Sequence, residues 1–490
     1  MFLKIAGTAM DNRDHKHLKG INTDMISQFP DPIIHHILSF LETKFVVRTS
    51  ILSKRWWYIW TTMPAYDFLL QGHQEFEAKT LEIFVDKILS GRKPLFSITK
   101  FALRSDEKHF DASKVYQWIS NLVRCNIEEL NLALSDDQPI NLPISLFTCK
   151  SLLELRLQLN ISLIDLPKAI SIPKLKLLHL SNISLHKSLA EQLILNAPLL
   201  EELVLSKCLW SDWNESTLNI SGPALKFFRF HDPVTHVGVR GFYDPVTHDG
   251  VRNGIVKIHA PNLRHLTCTG NIAKDYILSS FPSLDDAEVC FKFNFNFKRN
   301  FLNTRGAEIG PAASKLVGAL SNVRSLTISG ETLEALSFAN DLPTFQNLTH
   351  LTVTSKFRSL ADKVLLKLFQ SAPNLESLVL PGLPTNEREF TQGVFWSLSV
   401  AIGCPFARLK SVHFKEFSWH PRNMEFLKLV LKNAKVLEKV SLGNETPPLS
   451  SIPARIELME KLIVPKKVKS HKKVKAMTLF EWYLIGTQTP

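Results

Sequence analysis

Cysteine is scarce and unpatterned: six residues, at 125, 149, 208, 268, 290 and 404, with no CxxC pair. That spacing argues against a zinc module and a disulfide scaffold, and it favours a reducing compartment. Glycine is also low. Nineteen glycines in 490 residues fall well short of the usual frequency of about 7%. No window approaches about 18 uncharged apolar residues, so no transmembrane helix and no membrane partner are expected. The amino terminus, MFLKIAGTAMDNRDHKH, meets charge too early to read as a signal peptide. P-loop, GxGxxG, HExxH and GxSxG motifs are all missing, so nothing in the chain asks for catalysis. No cofactor is expected.

Acidic residues are outnumbered by basic ones, 46 to 58, for a net charge of +12. Seven of those charges are lysines between 461 and 475, a stretch without an acid. The rest of the chain is close to balance, so a nucleic-acid footprint over the whole protein is not expected. The lysine run itself, with Lys466, Lys467, Lys469, Lys472, Lys473 and Lys475, reads either as a nuclear-localisation patch or as a solvated tail.

What is abundant is apolar residues in a repeating order: 45% of the chain is hydrophobic. The pattern apolar-x-x-apolar-x-apolar occurs twelve times, beginning at Ile127, Leu152, Leu175, Leu200, Leu225, Leu263, Leu284, Val323, Leu348, Leu375, Leu409 and Leu437. Eight of the eleven steps lie between 21 and 28 residues, within the leucine-rich range of about 20–29. The last two apolar positions of each copy face inward from a short strand of period two. One copy cannot bury its apolar face alone, so neighbours must stack as a solenoid. Two long steps contain visible insertions. A duplicated turn, DPVTHVGVRGFY then DPVTHDGVR, fills 232–252. Its His231, His236, His248, Asp232, Asp244 and Asp249 have zinc-ligand chemistry, but duplication explains them without a metal, and none is expected. The second insertion, FKFNFNFKRNF at 291–301, reads as an extended ribbon with Phe291, Phe293, Phe295 and Phe297 on one face.

Ahead of the repeats lies a helical stretch of about 40 residues. Asp31 can cap a first helix carrying Ile33, Ile34, Ile37, Leu38 and Leu41. Phe45, Val46 and Val47 open a second. Ser53 can cap a third, with Trp56 and Trp60 four apart on one face and Trp57 beside them. So small a module is near the lower limit for an independent core and needs a partner surface. Lys44, Arg48, Lys54 and Arg55 occur without an acid between them, which suits an acidic partner.

The run FPDPIIHHILSFLETKFVVRTSILSKRWWYIWTTMP resembles the F-box of plant F-box/leucine-rich-repeat proteins, which reads Leu-Pro-Asp, ILSxLPTK, then TSxLSKRWxxLW. Downstream, CPFARLKSVHFKEFSWHPRNMEFLKLVLKNAKVLEKVSL at 404–442 is similar to the FBD region that closes such chains, with Met424, Leu427, Val430, Leu431 and Ala434 on one helical face. The resemblance implies an α/β fold: a three-helix F-box head, then a degenerate leucine-rich solenoid with an FBD-like end. The boundaries are a 1–23 amino terminus, a 24–64 F-box, a 65–120 connecting segment, a 121–403 solenoid, a 404–462 FBD-like region and a 463–490 basic tail. It further implies an intracellular protein, in nucleus or cytoplasm, that recognises substrates for a Skp–cullin–F-box ubiquitin ligase. Phe29, Pro30, Ile33, Ile37, Leu38 and Leu41 would face a small acidic Skp-type adaptor and, through it, a cullin. Val47, Leu52, Trp56 and Trp60 would complete that surface or the module's core. The alternative is a non-ligase scaffold, nuclear in location, with its basic tail on nucleic acid.

Overall fold

The computed structural model describes residues 28–70, 75–90, 98–106, 110–135, 140–163, 169–210, 213, 215–232, 251–293, 298–339, 341–357, 361–383, 406–418 and 420–443. The chain divides into two compact units, residues 1–233 with 237–245, and residues 234–236 with 246–490.

The first unit begins with three short helices, α1 (Asp31–Leu38), α2 (Thr43–Arg48) and α3 (Lys54–Ile59). A parallel sheet follows, whose strands are β1 (Ala65–Leu70), β2 (Lys100–Ser105), β3 (Glu129–Leu134), β4 (Glu154–Leu163), β5 (Leu177–Leu185), β6 (Glu202–Ser206) and β9 (Phe227–Asp232). Two further short strands, β7 (Leu209–Trp210) and β8 (Thr217–Ser221), precede β9, and β7 extends the β5 edge. Every connection between neighbouring rungs is long enough for a parallel crossover. Three rungs cross over by helices: α4 (Glu75–Ser90), α5 (Ala112–Arg124) and α6 (Lys187–Leu195).

Register is locked at one point per repeat. The carbonyl just before each strand accepts two consecutive backbone N–H groups from the next rung. Pro64 takes Thr99 and Lys100, Thr99 takes Glu128 and Glu129, and Glu128 takes Leu153 and Glu154. The same device continues through Leu153, Lys176 and Glu201. The series therefore starts at Pro64. The 65–120 segment, expected to be a connector, supplies the first two rungs. Its anchors are Met63, Tyr66 and Phe68, then Ile98, Phe101 and Leu103, all buried.

The second unit stacks β11 (His265–Gly270), β13 (Asp286–Phe291), β14 (Ser325–Ile328), β15 (His350–Val353), β16 (Ser377–Leu380), β17 (Ser411–Phe414) and β18 (Lys439–Leu442) in the same parallel manner. A separate parallel pair joins β10 (Val251–His259) to β12 (Ile272–Leu278). Its helices are α7 (Lys298–Gly318), α8 (Gly330–Leu336), α9 (Asp362–Ser371) and α10 (Pro421–Asn433). Helix α7 corrects the ribbon expectation. Strand β13 ends at Phe291, Phe293 is buried, and by Lys298 the chain is helical. Ile309, Ala312, Ala313, Leu316 and Val317 bury one face at helical spacing, which the alternation upstream concealed. Phe295, Phe297 and residues 233–250 of the duplicated turn, including His236, Asp244, His248 and Asp249, lie outside the described residues, while His231 and Asp232 end β9.

Helix α8 is buried along its whole length. Ser329 caps it by accepting from Thr332 N at 3.1 Å, and Glu331 accepts from Ser355 Oγ at 2.6 Å. Gly330 is required there, since a Cβ would stand 2.4 Å from the Lys356 carbonyl oxygen. The FBD-region helix α10 buries Met424, Phe426, Leu427 and Val430, with Leu431 only partly covered. Asn423 on the same helix accepts from Leu383 N at 2.8 Å and donates to Ser418. Arg422 reaches back to Asp362 of α9 at 2.5 Å, and both side chains are nearly buried.

Inward positions are filled throughout. Leu130 and Leu132, Leu155 and Leu157, Leu178 and Leu180, and Leu203 and Leu205 are all buried, as are Leu351 and Val353, Leu378 and Leu380, and Val412 and Phe414. Each such side chain contributes roughly 1.5–3 kcal/mol of burial. The final rung differs: Leu437, Val440 and Leu442 are only half covered. Among the described residues no helix is long and apolar enough to cross a membrane, and no group of three His, Cys, Asp or Glu could hold a metal ion.

Candidate protein-interaction surface

Helix α1 starts at a proline. Pro30 is the N-cap, with no side-chain cap bond, and Asp31 is the first helical residue rather than the cap. Asp31 instead accepts from Arg55 Nη2 at 2.6 Å, and Arg55 also donates to the Phe29 carbonyl oxygen at 2.6 Å. The guanidinium thus ties the entry of α1 to α3. Ser53 does cap α3, accepting from Trp56 N at 3.4 Å. His35 Nε2 meets Thr62 Oγ1 at 3.0 Å and holds α1 against the turn after α3.

Two apolar stripes run along α1 and go to different places. Ile34 and Leu38 turn inward, with Val46, Trp56, Ile59 and Trp60, to make the core of the head. Leu38 is 1% exposed, Trp56 5% and Trp60 8%, so these three form the core and not the outer surface. Phe29, Ile33, Ile37 and Leu41, spaced four apart, form the outward stripe, and Pro30 is exposed beside them. Leu52 is exposed and Val47 half-buried. Sequence reasoning missed three large exposed side chains: Phe40 at 77% exposure, Ile51 at 68% and Phe45. Phe40 and Ile51 sit in short turns beyond the helices, and Phe45 lies on α2, where a six-residue helix gives too little period to show its direction. The side chains of Lys54, Trp57 and Tyr58 lie outside the described residues.

Phe29, Ile33, Ile37, Phe40, Leu41, Phe45, Ile51 and Leu52 are all exposed in this short head, and a concentration of apolar residues of this kind marks an interaction surface. Cations border it. Lys44 Nζ lies 4.9 Å and Arg48 Cζ 5.5 Å from the centroid of the Phe45 ring.

The head is joined to the first rung without a gap in packing. Trp60 stacks on Phe84 of α4 at 4.9 Å between ring centroids. Tyr66 OH donates to the Trp60 carbonyl at 2.9 Å, and Asp67 N donates to Thr43 Oγ1 at 2.8 Å. Behind this junction Asp86 of α4 accepts from Lys114 Nζ at 2.6 Å and from Trp118 Nε1 at 2.7 Å on α5. Burial alone would raise the Asp86 pKa, but those hydrogen bonds outweigh it and hold it below the usual carboxylate value.

A second surface is the solvent face of the first unit's sheet. Asn131, Arg156, His179, Val204 and Arg229 stand in register across β3, β4, β5, β6 and β9. Burial, and then the nearby Arg156 guanidinium, lower the pKa of His179; Arg229 adds to the effect and Glu202 opposes it. The corresponding row of the second unit is Thr267, Glu288, Thr327, Thr352, Val379, His413 and Ser441, mostly hydroxyl-bearing or uncharged. The candidate nuclear-localisation lysines, Lys466, Lys467, Lys469, Lys472, Lys473 and Lys475, lie outside the described residues.

Comparison with known families agrees with this geometry. The F-box domain family matches residues 26–66, the FBD family residues 398–442, and the leucine-rich repeats of the FBD-associated F-box protein At5g56370 residues 115–274. The F-box/LRR-repeat protein At4g14103 of Arabidopsis thaliana is 30% identical over 372 residues, covering 74% of this chain and 92% of its own. The FBD-associated F-box protein At4g10400 of the same plant is 28% identical over 431 residues, covering 86% and 93%. The putative F-box/FBD/LRR-repeat protein At3g59240, again of Arabidopsis thaliana, is 28% identical over 448 residues, covering 86% and 84%.

Proposed function

The chain belongs to the F-box/leucine-rich-repeat family, and from that premise we propose that it is a substrate-recognition adaptor of a Skp–cullin–F-box ubiquitin ligase. The observation that carries this reading is the outward stripe Phe29–Ile33–Ile37–Leu41 with Phe40, Ile51 and Leu52: a small helical head leaves a large apolar surface uncovered. A Skp-type adaptor covers that surface, and its acidic character suits the flanking Lys44 and Arg48. The cullin is recruited through the adaptor. The repeats hold a protein substrate.

In this role the chain supplies no reacting group. It raises the local concentration of substrate near a charged ubiquitin carrier, turning a bimolecular encounter into a local one. The packed junction at Trp60, Phe84 and Tyr66 supports it, because a stiff connection keeps the substrate's position defined. Co-expression with a plant Skp-type adaptor, followed by size-exclusion chromatography, tests the proposal. The two proteins are expected to co-elute from the parent chain and to separate when Ile33 is changed to Glu. A folded parent that elutes alone contradicts the reading and leaves the non-ligase scaffold in its place. Nuclear or cytoplasmic residence is part of the proposal. A fluorescent fusion with the 466–475 lysines changed to Ala tests whether the tail directs nuclear entry.

A further inference from the structure

We propose that the solvent face of β5, β6 and β9 binds an extended acidic peptide, with a carboxylate on Arg229 and an apolar side chain two residues away on Phe227. The proposal rests on the reading that the repeats hold the substrate, and it names the chemistry that substrate presents.

The face is not uniform. Across β2, β3 and β4 the first outward row is Lys100, Glu129 and Glu154, entirely charged, and Lys100 pairs with Glu129 at 2.7 Å. Across β5, β6 and β9 the same row becomes Leu177, Glu202 and Phe227, and the next becomes His179, Val204 and Arg229. In these two rows large apolar side chains begin at β5; another large outward apolar residue, Leu69, stands apart on β1. Leu177 and Phe227 are half-buried, Val204 is buried among its neighbours, and Arg229 is exposed. The cations of the earlier rungs are neutralised: Arg104 by Asp67 at 2.8 Å, and Arg156 by Glu154 on its own strand. No acid lies within ion-pair distance of Arg229 among the described residues.

Charge and shape together select the partner. Arg156 is held by Glu154, and Glu202 stands in the adjoining row, which leaves Arg229 as the exposed cation of this group. A cation would be repelled by Arg229, whereas a carboxylate would pair with it. The guanidinium fork accepts a carboxylate in a bidentate manner, which fixes orientation as well as adding affinity. Phe227 and Arg229 point to the same side two residues apart, about 6.8 Å along the strand. An extended peptide running alongside presents its own alternate side chains at that spacing, so Leu and Glu two apart meet Phe227 and Arg229 together.

Fluorescence anisotropy with labelled 12-residue peptides tests this on the full chain. The probe carries Leu-Ala-Glu in an Ala/Gly/Ser background. Its counterparts replace Glu by Lys, Glu by phosphoserine, or Leu by Ser. The Leu-Ala-Glu probe is expected to bind, with affinity falling at least tenfold for the Lys and Ser counterparts. Arg229→Glu is expected to weaken binding at least tenfold and Phe227→Ser several-fold. Lys100→Glu, on the same face but outside the patch, is expected to leave it within twofold. Circular dichroism and melting of each variant separate lost binding from lost folding. Indifference to Arg229→Glu in a folded chain, preference for the Lys peptide, binding of the phosphoserine peptide alone, or no binding of any probe at millimolar concentration would each overturn the proposal. Adaptor co-elution is measured on the same variants. If Arg229→Glu keeps the adaptor but loses the peptide, both readings hold. If the parent chain binds peptide but no adaptor, the ligase reading falls alone.

Discussion

The head and the repeats draw on the same residue types and send them to opposite places. In the repeats of each unit, alternate Leu, Val and Phe positions vanish into a stack, so that Leu155 and Leu203 of the first and Leu351 and Leu378 of the second are each at most 2% exposed. In the head, Ile33 and Ile37 occupy equally regular positions and remain in solvent. The difference follows from the number of neighbours. A repeat is covered on both sides by copies of itself. The head is a single unit, packed on one side against the first rung and exposed on the other among the described residues. Burial therefore reports on stability in the repeats, and in the head exposure marks the surface proposed for the adaptor.

The sharpest way to break that contrast is to remove the side chain that joins the two regions. Trp60→Ala deletes the stack on Phe84 and the centre of the head core. It is expected to cost about 3–5 kcal/mol, read as an early unfolding transition in urea. Next comes the ion pair of the second unit. Asp362→Ala removes a carboxylate that holds the nearly buried Arg422 and is expected to cost about 3 kcal/mol, while the joint change Asp362→Leu with Arg422→Met is expected to be closer to neutral. Thermal melts of the single and double variants check this.

A smaller effect depends on pH. The folded-state pKa of Asp86 lies below its usual 3.8, so its contribution is present above that value and is lost as pH falls through the lower folded value. Asp86→Asn is expected to flatten the acid limb of the stability curve below about pH 4, measured by melting from pH 6 to pH 2. Smallest is the surface pair Lys226–Glu201 at 2.6 Å. Lys226→Ala is expected to change stability by no more than about 0.5 kcal/mol, because solvent screens the pair.

The repeats were legible because strand period and repeat period are both written in leucine. The first two rungs were not, because their anchors are Met63, Tyr66, Phe68, Ile98, Phe101 and Leu103, with aromatic and other residues in leucine's place. Their steps, 35 residues from Met63 to Ile98 and 29 from Ile98 to Ile127, are also longer than most. In the head, the apolar stripe of α1 was legible but its direction was not. Ile33 and Ile34 differ by about 100° around the helix, and both are isoleucine. Only the distant Trp56 and Val46 decide which one is covered. Leu38 was placed on the wrong side of the stripe for the same reason. The grouping of His179, Val204 and Arg229 left no trace in the sequence, since the outward positions of the repeat carry no period.

The most direct test of the central claim uses the two stripes of α1 against each other. Ile37→Glu and Leu38→Ala are purified alongside the parent, and a Skp-type adaptor is titrated into each by calorimetry. The account predicts that Ile37→Glu melts within about 0.5 kcal/mol of the parent and gives no binding heat, whereas Leu38→Ala is destabilised by about 2–5 kcal/mol and still binds while folded. Binding that survives Ile37→Glu, or a stable parent that gives no heat at all, would contradict it.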